Sequence, residues 1–118
     1  MATPATPPSS DFAVQVVAGR AVVTTPDEID IANAAQFREA LMAAARSGGP
    51  AIVVDMTGTE FCDSTGLNVL VRAHRQADEV GMDLRLVIRA IALQRILDVT
   101  GVGSMFGRYD TLDEALRA

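Results

Sequence analysis

The run Ala51-Ile52-Val53-Val54-Asp55 limits what this chain can fold into more than any other segment. It is short, β-branched and apolar on both alternating faces, so as a strand it must be covered on both sides. Such a strand belongs in the middle of a sheet with helices packed over it. The segments that follow agree. Leu67, Leu70, Val71, His74 and Ala77 share one face of a helix predicted from about residue 64 to 80, with Gly81 beyond its end. Leu84, Leu86 and Ile88 then alternate with Arg85 and Arg89 in another strand. A helix between two strands makes a right-handed crossover, so those two strands are expected to run parallel.

The remaining elements extend this unit. Residues 12–17 and 20–24 are β-rich runs on either side of Ala18-Gly19, the pattern of a hairpin. Pro26-Asp27-Glu28 ends the second run and opens a polar loop. Asn33 and Gln36 have the spacing of a capping box, and Phe37, Leu41, Met42 and Ala45 then mark the apolar face of a helix over about residues 32–47. Gly48-Gly49-Pro50 stops it. A shorter helix is predicted over residues 91–99, with Leu93, Ile96 and Leu97 inward and Gly101 after it. A last strand is predicted over 105–109. Thr111 and Glu114 then form a capping box for a terminal helix through Leu116. The expected fold is α/β: one domain over residues 11–118, with a mixed sheet of about five strands and about four helices, in the order β-β-α-β-α-β-α-β-α. Residues 1–10 are Met, Pro, Thr, Ala and Ser, too poor in large apolar groups to offset ordering entropy, and read as a flexible tail.

Composition narrows function by exclusion. A net charge of −5 argues against a general electrostatic attraction to nucleic acid. No apolar run approaches the roughly 18 residues of a spanning helix. The single cysteine, Cys62, leaves no internal disulfide and fits a reducing compartment; with no signal-peptide pattern at the N-terminus, a cytoplasmic location is expected. No His, Cys or carboxylate spacing matches a metal site, and no cofactor loop of the Walker or Gly-x-Gly-x-x-Gly kind occurs. A serine-hydrolase arrangement fails on distance: at about 1.5 Å rise per residue, His74 lies some 15 Å along the helix from Ser64. Catalysis by Cys62 lacks an arginine close enough to hold a phosphate, the next one being Arg72.

The chemistry that remains sits in Phe61-Cys62-Asp63-Ser64-Thr65-Gly66-Leu67. Two adjacent hydroxyls and a carboxylate stand at the mouth of a helix, where unpaired N–H groups and about half a positive charge are presented. These residue types cap helices. They also suit an attached phosphate, which the same groups would hold. Local chemistry leaves both readings open. Asp27, Glu28 and Asp30 cluster in a second loop that also leaves a strand just before a helix. They read either as a solvated turn or as part of a binding face on the same sheet edge.

The motifs resemble a known family. Glu28-Ile29-Asp30 with Asn33-Ala34 and Phe37-Arg38-Glu39-Ala40-Leu41, then Val53-Val54-Asp55 with Phe61-Cys62-Asp63-Ser64-Thr65-Gly66-Leu67, then Arg95-Ile96-Leu97-Asp98-Val99-Thr100-Gly101-Val102 and Leu112-Asp113-Glu114-Ala115-Leu116, occur in the order found in STAS domains. Within these the chain is most similar to the bacterial anti-sigma factor antagonists. Asp27 replaces the glycine usual before the Glu-Ile-Asp segment, so that turn departs from the pattern. The resemblance implies a non-enzymatic binding module. Its partner would be an anti-sigma factor that is itself a serine kinase. The kinase phosphorylates the hydroxyl that falls on Ser64, with Thr65 as the fallback, and a phosphatase restores the binding form. The implied partner face is Asp30, Asp63, Ser64, Thr65, Gly66 and Leu67. A second role met among STAS domains, as a scaffold subunit of stress-signalling or lipid-transport assemblies, is the alternative. Oligomeric state stays open.

Overall fold

The computed structural model describes residues 12–47 and 49–118. The expected tail, residues 1–10, lies outside them. Five strands form the main sheet: β1 (Ala13–Val17), β2 (Arg20–Thr24), β4 (Ala51–Met56), β6 (Asp83–Ile88) and β7 (Gly107–Tyr109), in the order β1-β2-β4-β6-β7. Two further strands of two residues each, β3 (Glu28–Ile29) and β5 (Phe61–Cys62), pair with one another in parallel away from it. The helices are α1 (Ala34–Arg46), α2 (Ser64–Glu79), α3 (Ile91–Thr100) and α4 (Leu112–Arg117). The mixed sheet and the four helices match the expected α/β architecture; the β3–β5 ribbon is additional.

β1 and β2 form the hairpin, and Ala18 and Gly19 both take positive φ (52° and 80°), as a two-residue turn between right-twisted strands requires. From β2 onward every neighbour in the main sheet is parallel, with Ile52 opposite both Ala21 and Leu84. The 51–55 run is the centre of the sheet, as its two apolar faces require. On one face Ala21, Val23, Ile52, Val54, Leu84 and Leu86 meet Phe37 and Leu41 of α1, Leu67 and Leu70 of α2, and Leu93 and Leu97 of α3. On the other, Val22, Val53 and Val87 are covered by Ala115 of α4, with Leu112 and Leu116 beside it. Each fully buried aliphatic side chain of this kind contributes about 1.5–3 kcal/mol.

Several expectations are corrected. Arg85 was expected on a polar, alternating face; it is buried under α4, where its guanidinium donates to the Ala115 carbonyl and to Asp83, both at 2.9 Å. On α1 the buried stripe is Ala34, Phe37, Ala40, Leu41 and Ala44, while Met42 and Ala45 point outward. Asn33 starts α1 but its side chain makes no capping bond. It accepts from the Asp30 N–H and donates to the Glu28 carbonyl instead, and the Gln36 Oε1 is buried with no partner. The Thr111 cap does form, accepting from the Glu114 N–H at 3.1 Å. A short 3-10 turn over Val102–Met105 takes up Met105, expected as the first residue of the last strand, which begins at Gly107. His74 is a half-buried boundary residue, edge-on to Phe106 at 5.2 Å between ring centres.

Candidate partner-binding site

Two loops leave the carboxyl ends of parallel strands β2 and β4 and are laced together. The Thr25 N–H donates to the Asp55 carbonyl, and the Glu60 N–H to the Asp27 carbonyl. Thr59 is fully buried; its hydroxyl donates to the Pro26 carbonyl and shares a second hydrogen bond with the Thr25 hydroxyl. The β3–β5 pairing continues the seam, with Ile29 opposite Cys62 and the Asp63 N–H bonded to the Ile29 carbonyl at 3.0 Å. The expectation that the Asp30 and Asp63 loops share one edge is therefore met. β3 and β5 are the device, and two-residue strands leave no periodicity to read.

Asp63 is the N-cap of α2. Its Oδ1 accepts from the Thr65 N–H (2.9 Å), the Gly66 N–H (3.2 Å) and the Thr65 hydroxyl (2.6 Å). Ser64 is the first helical residue and is exposed, and its hydroxyl has no hydrogen-bond partner among the described residues. The local ambiguity between cap and display thus resolves by position: Asp63 caps, Thr65 braces Asp63, and Ser64 is left free. Of the first-turn amides expected to hold a phosphate, those of Thr65 and Gly66 already donate to Asp63.

The Thr65 hydroxyl holds the Asp63 carboxyl below the usual carboxylate range; desolvation opposes this, and the Gly66, Thr65 and Ile31 amides add to the lowering. A depressed native value means that Asp63 stabilises the fold above the ordinary value of about 4. The contribution disappears as pH falls through the lowered native value. Asp63→Ala is therefore expected to lower the urea midpoint at pH 7, and the gap from the parent protein should close on titration to below the carboxylate range. A gap that stays constant down to pH 2 would show that the carboxylate is not what stabilises this turn.

Cys62 is buried against the start of α2, and burial, with the neighbouring Asp63 charge, pushes its thiol up to about 12. It stays protonated and inert near neutrality. Gly66 lies over it. A Cβ at Gly66 would come 2.5 Å from the Cys62 Sγ and 2.7 Å from the Ile29 Cγ2. Gly66 and Leu67 are both buried, so of the six residues expected on the partner face these two serve chiefly to position the helix. Asp30 is half-buried and its carboxylate accepts from the Ala32 N–H at 2.9 Å, closing the turn before α1. Two apolar side chains on these loops are exposed: Phe61, the first residue of the candidate run, by 45%, and Ile31, which sequence reading passed over, by 80%. Ile31 sits between Asp30 and Ala32 in a loop and belongs to no periodic pattern. Among the described residues no cluster of His, Cys, Asp or Glu is placed to hold a metal.

The family model of the STAS domain matches residues 11–115. The chain belongs to the STAS domain family. Among its relatives, the anti-sigma-F factor antagonist RsfB of Mycobacterium tuberculosis is 29% identical over 100 residues, covering 83% of this chain and 80% of RsfB. The crystal structure of an anti-sigma factor antagonist from Mycobacterium paratuberculosis superposes with a TM-score of 0.82 at 31% identity, over 94% of this STAS domain chain and 95% of that one. The Bacillus cell fate determinant SpoIIAA, solved in its phosphorylated form, shares the STAS fold at 19% identity with a TM-score of 0.68, over 90% of this chain and 96% of its own. This STAS domain thus presents an unengaged hydroxyl at a capped helix start, with exposed Ile31 and Phe61 on the two loops that meet there.

Proposed function

We propose that this protein is an anti-sigma factor antagonist whose docking is controlled at Ser64. It binds an anti-sigma factor and so frees the sigma factor which that protein holds. The anti-sigma factor is a serine kinase that phosphorylates Ser64, and a phosphatase removes the group. The observation that carries the reading is the Ser64 hydroxyl: exposed, unbonded and held at the first turn of α2 by a cap it does not itself provide. The names of the mycobacterial relatives support the partner class. Thr65, the fallback site, is half-buried with its hydroxyl committed to Asp63, which favours Ser64 as acceptor.

The surface chemistry fits an on–off contact. Exposed Ile31 and Phe61 supply apolar area that a partner covers, and an uncharged hydroxyl costs far less to desolvate there than a phosphoryl dianion. A phosphoryl group adds about −1.5 to −2 charges beside Asp63. No helix of the described residues is long and apolar enough to cross a membrane. The anti-sigma relatives favour this role over that of a scaffold subunit or an enzyme.

Incubation with ATP and candidate anti-sigma kinases, followed by mass-spectrometric mapping, tests the reading. A single phosphate on Ser64 is expected, transferred by a kinase that also co-purifies with the unmodified protein. Binding by such a kinase with the phosphate on Thr65 alone, or on neither residue, would overturn the site assignment.

A further inference from the structure

A second feature lies away from the Ser64 edge and does not depend on it. Between α1 and α2, against Ile52 of β4, runs a slot of about 360 Å³. Its walls are apolar, among them Leu41, Val69 and Met82. Its rim carries three arginines, Arg38 and Arg46 from α1 and Arg72 from α2. All three are exposed, and among the described residues none makes a salt bridge; the ion pairs present use Arg85, Arg108 and Arg117. Arg38 has only a weak contact, to the Met42 sulfur at 3.8 Å.

This is an unusual gathering for a chain with 15 acidic and 10 basic residues. Two neighbouring helices hold these three cations along one groove, and among the described residues no carboxylate is paired with them. An anionic head group would supply the missing partner. Guanidinium groups hold carboxylates with two parallel hydrogen bonds, which a hydrated lysine does less well. The slot behind them has no charged wall, and methionine lets it adjust to an alkyl chain. Its volume is at the low end for small-ligand pockets, too small for a two-chain lipid.

We propose that the α1–α2 slot is a binding site for a single-chain amphiphilic carboxylate, its alkyl chain against Leu41, Ile52, Val69 and Met82 and its head group on Arg38, Arg46 and Arg72. Because α1 follows the Asp30 turn and α2 begins at Ser64, the ligand would bridge the two helices whose N-termini build the partner edge.

Decanoate, below its micelle concentration, is the probe. Titration followed by amide chemical shifts in the full chain should saturate at one equivalent, with shifts confined to α1, α2 and the middle of β4. Arg38→Gln with Arg72→Gln is expected to weaken binding at least tenfold, and the exposure of both side chains keeps the variant folded. Decanol should bind at least tenfold more weakly than decanoate. The proposal fails if decanoate shows no saturable shifts, or if decanol and decanoate bind the parent protein equally. It also fails if the slot resonances move with protein concentration alone, which would assign the groove to a second copy of the chain. An acidic peptide that outcompetes decanoate at equal concentration would reassign the slot to a protein partner.

Discussion

Ser64→Asp is expected to bind the cognate anti-sigma factor at least tenfold more weakly than the parent protein, and phosphorylated Ser64 more than a hundredfold more weakly. Ser64→Ala should bind as the parent does and resist the kinase. The hundredfold figure corresponds to about 3 kcal/mol, within what truncating or mispairing a desolvated interface charge costs. The magnitude follows from where the charge is placed. The amides that would neutralise it, those of Thr65 and Gly66, already donate to Asp63. The new charge therefore adds to Asp63, with the Thr65 and Gly66 N–H groups already committed to that carboxylate. Aspartate brings one charge at shorter reach, hence the smaller effect. Because the Ser64 hydroxyl makes no hydrogen bond among the described residues, neither variant should change the far-ultraviolet circular dichroism or the urea midpoint appreciably. Titration calorimetry with the purified anti-sigma factor measures the affinities. Equal Kd values for Ser64→Ala and Ser64→Asp would remove Ser64 as the switch.

The second large effect is on stability. Gly66→Ala should destabilise the fold by about 1–3 kcal/mol, the usual cost of forcing a methyl into a packed interior. The sign is informative, because alanine in place of a helical glycine ordinarily stabilises by about 1 kcal/mol. Here the Cβ meets Cys62 Sγ at 2.5 Å and Ile29 Cγ2 at 2.7 Å, both on the β3–β5 ribbon. Relief requires α2 to lift away from that ribbon. Cys62→Ala removes one of the two clashing atoms, so the double variant Gly66→Ala/Cys62→Ala should be more stable than the sum of the two single effects. Urea denaturation of the four proteins gives the coupling. Additive effects, or a Gly66→Ala protein as stable as the parent, would show that the helix start tolerates a side chain.

Much of this was readable from residue pattern. The 51–55 run could only be central, and the leucines of α2 and the alternation of β6 fixed the parallel unit around it. The hairpin at Ala18-Gly19 followed from glycine at a turn. What escaped reading depended on contacts remote in sequence. Glu28-Ile29 and Phe61-Cys62 become strands only by pairing across 33 positions, and Thr59 is held by Thr25 and Pro26. Arg85 looked like a solvent-facing residue because α4, which buries it, comes 27 residues later. The Asn33–Gln36 spacing suited a cap, but the Asp30 turn claimed Asn33 first. At the candidate site itself the sequence singled out seven consecutive residues, Phe61 to Leu67, and could not divide their work. Which of Asp63, Ser64 and Thr65 caps, braces or faces outward is a matter of rotamers and backbone direction, and neighbouring polar residues look alike in one dimension.

That division of work has a consequence for how an altered Ser64 would be sensed. With Asp63 keeping the turn closed by itself, modification need not reshape the backbone, and the message would travel mainly as an electric field at the molecular boundary. Such a field reaches about 8 Å in a physiological electrolyte and about 3 Å in molar salt. The discrimination between the two forms would thus be sharpest in dilute buffer and blunted in brine, making the cell's osmotic condition an unintended dial on the signal.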